Sequence, residues 1–168
     1  MENQTKPKSQ SLLYGAVYGI FSSLALYLFY KLDLEMKGIS SLIHFSLATI
    51  CVLLPINLYK NSNANQLTIA NALKIGLFVG LIGGIIYAVY AYMHFEFINP
   101  EFLTEKMAQT KAELETQNTE LTQEQMNQAL KFAEIFVSPI VISITGFIGA
   151  LLETFITALV IGLIKRSN

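Results

Sequence analysis

Two polar side chains interrupt long apolar stretches of this 168-residue chain, where polar groups are costly and often functional. Glu153 lies in one stretch, eleven residues before Ile164, which places it about 16 Å along a helix from that end. His44 interrupts another stretch. A charged acid near the bilayer midplane costs about 2.5–3.5 kcal/mol on insertion scales. Glu153 is therefore expected to be protonated, paired or beside a water-filled gap.

Two interpretations of Glu153 remain open. It could relay protons or cations, or it could make a structural hydrogen bond to a Tyr, Ser or Thr on a neighbouring helix. His44, Tyr18 and Tyr27 are its possible partners. His44 could also be an ordinary polar side chain with satisfied hydrogen bonds, and a transporter usually needs more than one intramembrane polar group.

Four apolar stretches must position these groups. Their bounds are about 12–30, 39–58, 73–95 and 138–164, and about 20 helical residues suffice to cross a bilayer. Because backbone groups in lipid must bond within their own segment, the stretches are predicted to be helices. Hydrophobic residues make up 53% and charged residues 14% of the chain, which also favours a membrane protein. The first stretch is too long for the apolar part of a signal peptide and is expected to be retained.

The segment between the third and fourth stretches is polar and helix-prone. It contains eight Glu from Glu96 to Glu134 and three Lys. Asn99 and Pro100 form one helix start, and Thr122 with Gln125 forms a capping box. The sequence predicts two helices, about 100–117 and 123–137, within an extramembrane hairpin at 97–137. The hairpin could be a solvated structural excursion or a docking surface for a partner.

Lys and Arg residues predict the sidedness. If the N-terminus is cytoplasmic, the cytoplasmic side carries six Lys and Arg residues and one acid, Glu2. The opposite side carries five Lys residues and ten acids. The six are Lys6, Lys8, Lys60, Lys74, Lys165 and Arg166, and the five are Lys31, Lys37, Lys106, Lys111 and Lys131. The positive-inside rule favours cytoplasmic N- and C-termini and an extracytoplasmic hairpin.

Small residues recur every four positions in three of the apolar stretches, and we call these series the small-residue ladders. They are Ala72, Gly76, Gly80, Gly84 and Ala88; Gly146, Ala150, Thr154, Ala158 and Gly162; and Gly15, Gly19 and Ser23. Small residues let helix backbones approach closely in lipid. The ladders could pack within one chain, or they could bind a second copy or another membrane protein.

No catalytic signature accompanies these features. The sequence has no G-x-S-x-G, H-E-x-x-H, Walker A or C-x-x-C motif, so no catalytic, cofactor-binding or metal-binding residues are predicted. The net charge of −1 and the lack of a basic–aromatic patch give no indication of nucleic-acid binding. No small-molecule substrate can be identified, and membrane lipids are the expected partners.

Several stretches together resemble a bacterial family of four-span membrane proteins, domain of unknown function 4199. They are TIANALKIG at 68–76 with the glycine-rich span after it, FINPEF at 97–102, the Glu/Gln-rich insert and the closing span that ends at Lys165 and Arg166. The likeness covers nearly the whole chain and is clearest from about 67 to 166. The resemblance implies a multi-pass bacterial membrane protein and brings no catalytic residues.

The sequence therefore predicts an all-α integral membrane protein. Its four transmembrane helices and extracytoplasmic helical hairpin form one membrane domain over residues 1–168. We expect a structural or protein-interaction subunit of the bacterial inner membrane without enzymatic activity. The alternative is a small transporter or channel component in which Glu153 acts as a proton or cation relay.

Overall fold

The computed structural model describes residues 7–34, 38–117 and 122–167, and across these ranges the chain is helical and contains no strand. Lys6 and Lys37, which entered the charge comparison, lie outside the described residues. The helices are α1 (Pro7–Lys31), α2 (Ile39–Ser62), α3 (Ile69–Met93), α4 (Glu101–Gln117), α5 (Gln123–Phe136) and α6 (Pro139–Lys165). A π-helical segment, His94–Ile98, continues α3.

Four of the helical segments are long and apolar enough to span a membrane. They are Ser11–Lys31, Ile39–Ser62, Ile69–Ile98 and Pro139–Lys165. Many of their large apolar side chains are exposed on the outside of the bundle, as lipid-facing side chains are. The all-helical fold and the four long apolar helices predicted from the sequence are therefore confirmed.

Several helices extend beyond their predicted bounds, because their ends lie at polar residues outside the apolar stretches. Thr68 caps α3, since its hydroxyl accepts the N–H of Asn71 at 3.2 Å, so the helix begins before the predicted residue 73. At its other end the π-helical segment reaches Ile98, which the sequence assigned to the start of the hairpin. Helix α2 continues past Pro55 to Ser62 rather than ending near residue 58.

Helices α4 and α5 begin where the sequence signals predicted. Asn99 Oδ1 accepts the N–H of Phe102 at 3.3 Å. Thr122 Oγ1 accepts the N–H of Gln125 at 3.3 Å, and Gln125 Oε1 accepts the N–H of Thr122 at 3.0 Å, which confirms the capping box. The two helices border a common crevice lined by both, so they lie side by side.

Helix α3 lies between α1 and α6 and contacts both extensively. It runs parallel to α1, because Gly15 faces Ile82 while Gly19 faces Gly83 and Ile86. It runs antiparallel to α6, where successive α3 glycines face progressively earlier residues. Gly76 faces Ala158 and Thr154, Gly80 faces Thr154 and Ala150, and Gly84 faces Phe147.

These contacts are too close for a larger residue. A Cβ added to Gly80 would meet Thr154 Oγ1 and would lie 3.1 Å from the carbonyl oxygen of Ala150. A Cβ on Gly19 would lie 2.6 Å from the carbonyl oxygen of Gly83. Within the described chain, residues of all three small-residue ladders thus face another helix of the same chain.

Hydrogen bonds tie the helix ends together on the side that holds the C-terminus. Lys165 donates to Asn57 Oδ1 at 2.8 Å, and Lys60 donates to the carbonyl oxygen of Lys165 at 2.8 Å. Asn71 donates to the Tyr59 hydroxyl at 2.9 Å. These bonds join the ends of α2, α3 and α6, so this end of the bundle is closed by polar contacts.

Gly80 and Gly149 offer a matched test of close helix packing. Gly80→Ala forces α3 away from α6, and overpacking of this kind costs about 1–3 kcal/mol. Gly149→Ala adds the same methyl group where no atom lies within 4 Å apart from its chain neighbours and the nearby backbone of its own helix, so it should leave stability unchanged or slightly raised. Thermal unfolding in detergent measures the difference. Equal melting temperatures for the two variants would contradict the packing account.

Candidate functional site

Glu153 and Tyr18 form a hydrogen bond between α6 and α1 inside the bundle. The Tyr18 hydroxyl donates to Glu153 Oε2 at 2.9 Å. Tyr18 is only 2% exposed, whereas Glu153 is half-buried. Of the two tyrosines considered from the sequence, Tyr18 makes this bond, while Tyr27 lies near Tyr90.

Beside this hydrogen bond is a cavity of about 500 Å³, which we call the Glu153 cavity. All four long helices line it. The lining residues are Tyr18, Ser22, Leu26 and Phe29 of α1, Ser40, Ser41 and His44 of α2, Tyr87 of α3, and Gly146, Gly149, Ala150 and Glu153 of α6. Its volume lies in the range typical of small-molecule sites, so the bundle leaves room for a ligand or water next to the carboxyl group.

Glycine on α6 creates part of this room. Gly149 faces open space, since nothing lies within 4 Å of an added Cβ. Gly146 lies against the ring of Tyr87, whose Cε1 would be 2.7 Å from an added Cβ. Two glycines three residues apart on one helix therefore differ in role: Gly146 permits a close contact, and Gly149 helps keep the cavity open.

His44 lies in the same cavity as Glu153, and the described residues show no hydrogen bond between the two side chains. Its ring packs edge-on against Tyr87, with centroids 5.7 Å apart and planes at 77°. The structure therefore brings together the two intramembrane polar residues singled out from the sequence, as separate groups on the wall of one cavity.

Ser22 adds an unsatisfied hydroxyl to this wall. Its Oγ is buried and has no hydrogen-bond partner among the described residues. An unpaired buried polar group is destabilising unless a water or a ligand satisfies it. Nothing in the sequence distinguishes Ser22 from the many other Ser and Thr residues of the apolar stretches.

The charge of the Glu153 cavity is unbalanced. Among the described residues, Glu153 is its sole acidic lining residue, and no Lys or Arg lines it. Because a carboxylate at this depth is costly, a proton or a cation must compensate its charge. The arrangement is suited to binding a proton or a small cation and unsuited to binding an anion.

A second cavity of about 480 Å³ lies at the N-terminal end, or foot, of α4, and we call it the vestibule. It is lined by Phe29, Tyr30, Asp33, Leu34, His94, Phe95, Asn99, Glu101, Phe102, Glu105, Lys106 and Gln109. Three acids and one lysine give it a net negative lining. Among the described residues, no group of three or more His, Cys, Asp and Glu side chains could hold a metal ion.

His94 is buried at the vestibule. It is 1% exposed and packs edge-on against Tyr30 at 5.4 Å and Phe95 at 5.2 Å. Its Nδ1 lies 3.3 Å from the Tyr90 hydroxyl, and its Nε2 has no partner among the described residues. Only the aromatic residues around His94 in the sequence hinted at this burial.

Comparison with protein-family models gives one match, which covers residues 13–167 and is described as "Protein of unknown function (DUF4199)". No curated protein matches the chain, and no solved structure matches it. The matched range includes nearly all of α1 and every later helix, and so both cavities. The chain therefore belongs to the DUF4199 family.

Proposed function

We propose that the protein is a non-enzymatic, multi-pass membrane component that binds and moves a proton or a monovalent cation at Glu153. The observation that carries this proposal is the cavity of about 500 Å³ beside the Tyr18–Glu153 hydrogen bond. A purely structural hydrogen bond would need no such space. Residues of four helices instead line a space beside this acid with room for an ion and its remaining water molecules.

The polar groups of the Glu153 cavity suit a cation. Glu153 offers carboxylate oxygens, and Ser22 has a hydroxyl without a partner among the described residues. Tyr18 holds one carboxylate oxygen in place, and the other oxygen makes no hydrogen bond to a described residue. His44 supplies a second titratable group on the same wall, as a proton pathway requires.

The orientation that we propose places both termini in the cytoplasm and α4 and α5 outside, in the bacterial inner membrane. Lys60 and Lys165 lie at the same end of the bundle as the C-terminus, where the positive-inside rule favours them. The acids of the vestibule lie at the opposite end. With this orientation the vestibule opens to the extracytoplasmic side.

Flux into liposomes tests the role of Glu153. We expect wild-type protein to admit protons or a monovalent cation when a potassium gradient with valinomycin makes the interior negative, with pyranine or an ion-selective dye as the reporter. Glu153→Gln should lower the initial rate at least tenfold, because its amide can still accept the Tyr18 hydrogen bond but carries no charge. Tyr18→Phe should lower the rate by about two- to tenfold, the value of one hydrogen bond.

The matched control for this assay is Glu134→Gln, which removes a charge from an exposed residue of α5. It should keep the wild-type rate. A wild-type rate equal to those of Glu153→Gln and of protein-free liposomes, for protons and sodium ions with valinomycin and for potassium ions without it, would exclude transport through this acid.

A second candidate function is that of a structural or protein-interaction subunit. The observation that favours it is an apolar face on α5 that no other part of the described chain covers. Phe132, Ile135 and Phe136 on this face are 67%, 58% and 68% exposed. A contiguous exposed apolar face of this kind marks a contact with a protein or with the membrane surface, and this candidate assigns it to a membrane-protein partner.

Photo-crosslinking in native membranes tests this candidate. A benzophenone amino acid replacing Phe132 should give one protein adduct of discrete mass, whereas the same probe replacing Glu134, an exposed residue on the opposite side of α5, should give none. Mass spectrometry identifies the adduct. Lipid adducts alone at position 132 would show that the face rests on the bilayer and would remove the interaction candidate.

A further inference from the structure

The Glu153 cavity and the vestibule have one lining residue in common, Phe29. This residue lines both cavities and is 5% exposed. It is the sole residue common to the two linings among the described residues. The ring thus lies between an acidic space at the foot of α4 and the cavity that holds Glu153.

Phe29 also borders a third space, an apolar groove between α1 and α2. The groove is lined by Phe21, Leu24, Ala25, Leu28, Phe29, Leu32, Leu34, Ile39, Leu42, Ile43, Ser46, Leu47 and Ile50. Its volume of about 610 Å³ is more than enough for an aromatic ring. Phe29 therefore borders this apolar space as well as the Glu153 cavity and the vestibule.

The vestibule has the chemistry of an entrance for cations. Its acids, Asp33, Glu101 and Glu105, make no ion pair within 4.0 Å among the described residues. Lys106 instead bonds to Gln109 Oε1 at 3.2 Å and lies 5.7 Å from the centre of the Phe102 ring. A negatively lined concavity raises the local concentration of cations.

We propose that Phe29 is the gate between the vestibule and the Glu153 cavity, and that the cation reaches Glu153 from the foot of α4. This proposal rests on the function proposed above and specifies its route. With the ring between the cavities, an apolar constriction excludes water and ions, as in hydrophobic gates of channels. With the ring in the apolar groove, Ser22 and Glu153 become accessible from the vestibule.

Thiol labelling tests the gate without any assay of transport. Ser22→Cys places a thiol in the Glu153 cavity in a Cys51→Ala background, which removes the single native cysteine. The full-length protein in lipid nanodiscs is treated with a trimethylammonium-ethyl methanethiosulfonate reagent. Phe29→Ala should raise the labelling rate at Ser22→Cys at least tenfold, Phe29→Leu should raise it less, and Phe29→Trp should lower it.

Two controls separate a gate from general loosening of the fold. Ile20→Ala shortens an exposed side chain of the same helix that lines none of the three spaces, so it should leave the labelling rate unchanged. Native Cys51 is buried in the core and lines none of the three spaces, so its labelling should stay as slow in Phe29→Ala as in the wild type. Faster labelling of Cys51 in that variant would assign the effect to unfolding and would overturn the gate.

Charge in the vestibule gives an independent readout. Replacing Glu101 and Glu105 with Gln should slow labelling by the cationic reagent severalfold at low salt and leave labelling by a neutral methanethiosulfonate unchanged. Equal rates for Phe29→Ala, Phe29→Trp and the parent protein would overturn the gate. If Phe29→Ala raises the labelling rate but Glu153→Gln leaves the flux unchanged, the gate is retained and the transport function is rejected.

Discussion

Close approach of helix backbones is the constraint on which the rest of this structure depends. Apolar surface gains little from leaving lipid for another helix, so packing contacts and hydrogen bonds must hold a membrane bundle together. Helix α3 meets this constraint on two sides. Gly76 and Gly80 admit the backbone of α6, and Gly83 lies against α1, where an added Cβ would be 2.8 Å from the carbonyl oxygen of Gly15.

The same constraint explains where the cavity lies. Contacts between α3 and its neighbours fix the distance from α1 to α6, and Tyr18 spans that distance to reach Glu153. Helix α2 contacts the other long helices less extensively. Near Ser40 and His44 it leaves a space next to α6, and Gly149 has no side chain to fill that space. Helices α1 and α6, both packed closely on α3, and the less extensively packed α2 thus line an open, mostly apolar cavity beside one acid.

Most of the fold could be predicted from the sequence because its signals are local. Local signals such as the caps at Asn99 and Thr122 predict α4, α5 and α6 to within one residue, whereas α1, α2 and α3 extend up to five residues beyond the predicted apolar stretches. The π-helical segment was missed, since nothing in its sequence signals a widened turn after α3. The start of α3 was misplaced because the prediction followed hydropathy and passed over Thr68, a capping residue whose bond to Asn71 begins the helix earlier.

The site was less predictable because it depends on distances between helices. Sequence selected Glu153 as an intramembrane acid and named Tyr18 among several possible partners, but spacing along one helix does not show which partner another helix brings near. Gly83 and Gly149 illustrate the limit: one lies against Tyr18 and the other faces open space, although the residue type is the same. The burial of His94 and the shared position of Phe29 likewise depend on three-dimensional contacts.

Disulfide trapping tests the central claim, that α3 packs against α6 of the same chain, most directly. A Cβ added to Gly162 would lie 2.8 Å from the Cβ of Ala72, and a modest separation of the helices would bring cysteines at these positions to the usual spacing of about 3.8 Å. We therefore predict that Ala72→Cys with Gly162→Cys, in a Cys51→Ala background, oxidises in membranes to an intramolecular disulfide seen as a shifted monomer. A disulfide-linked dimer in its place would contradict the account.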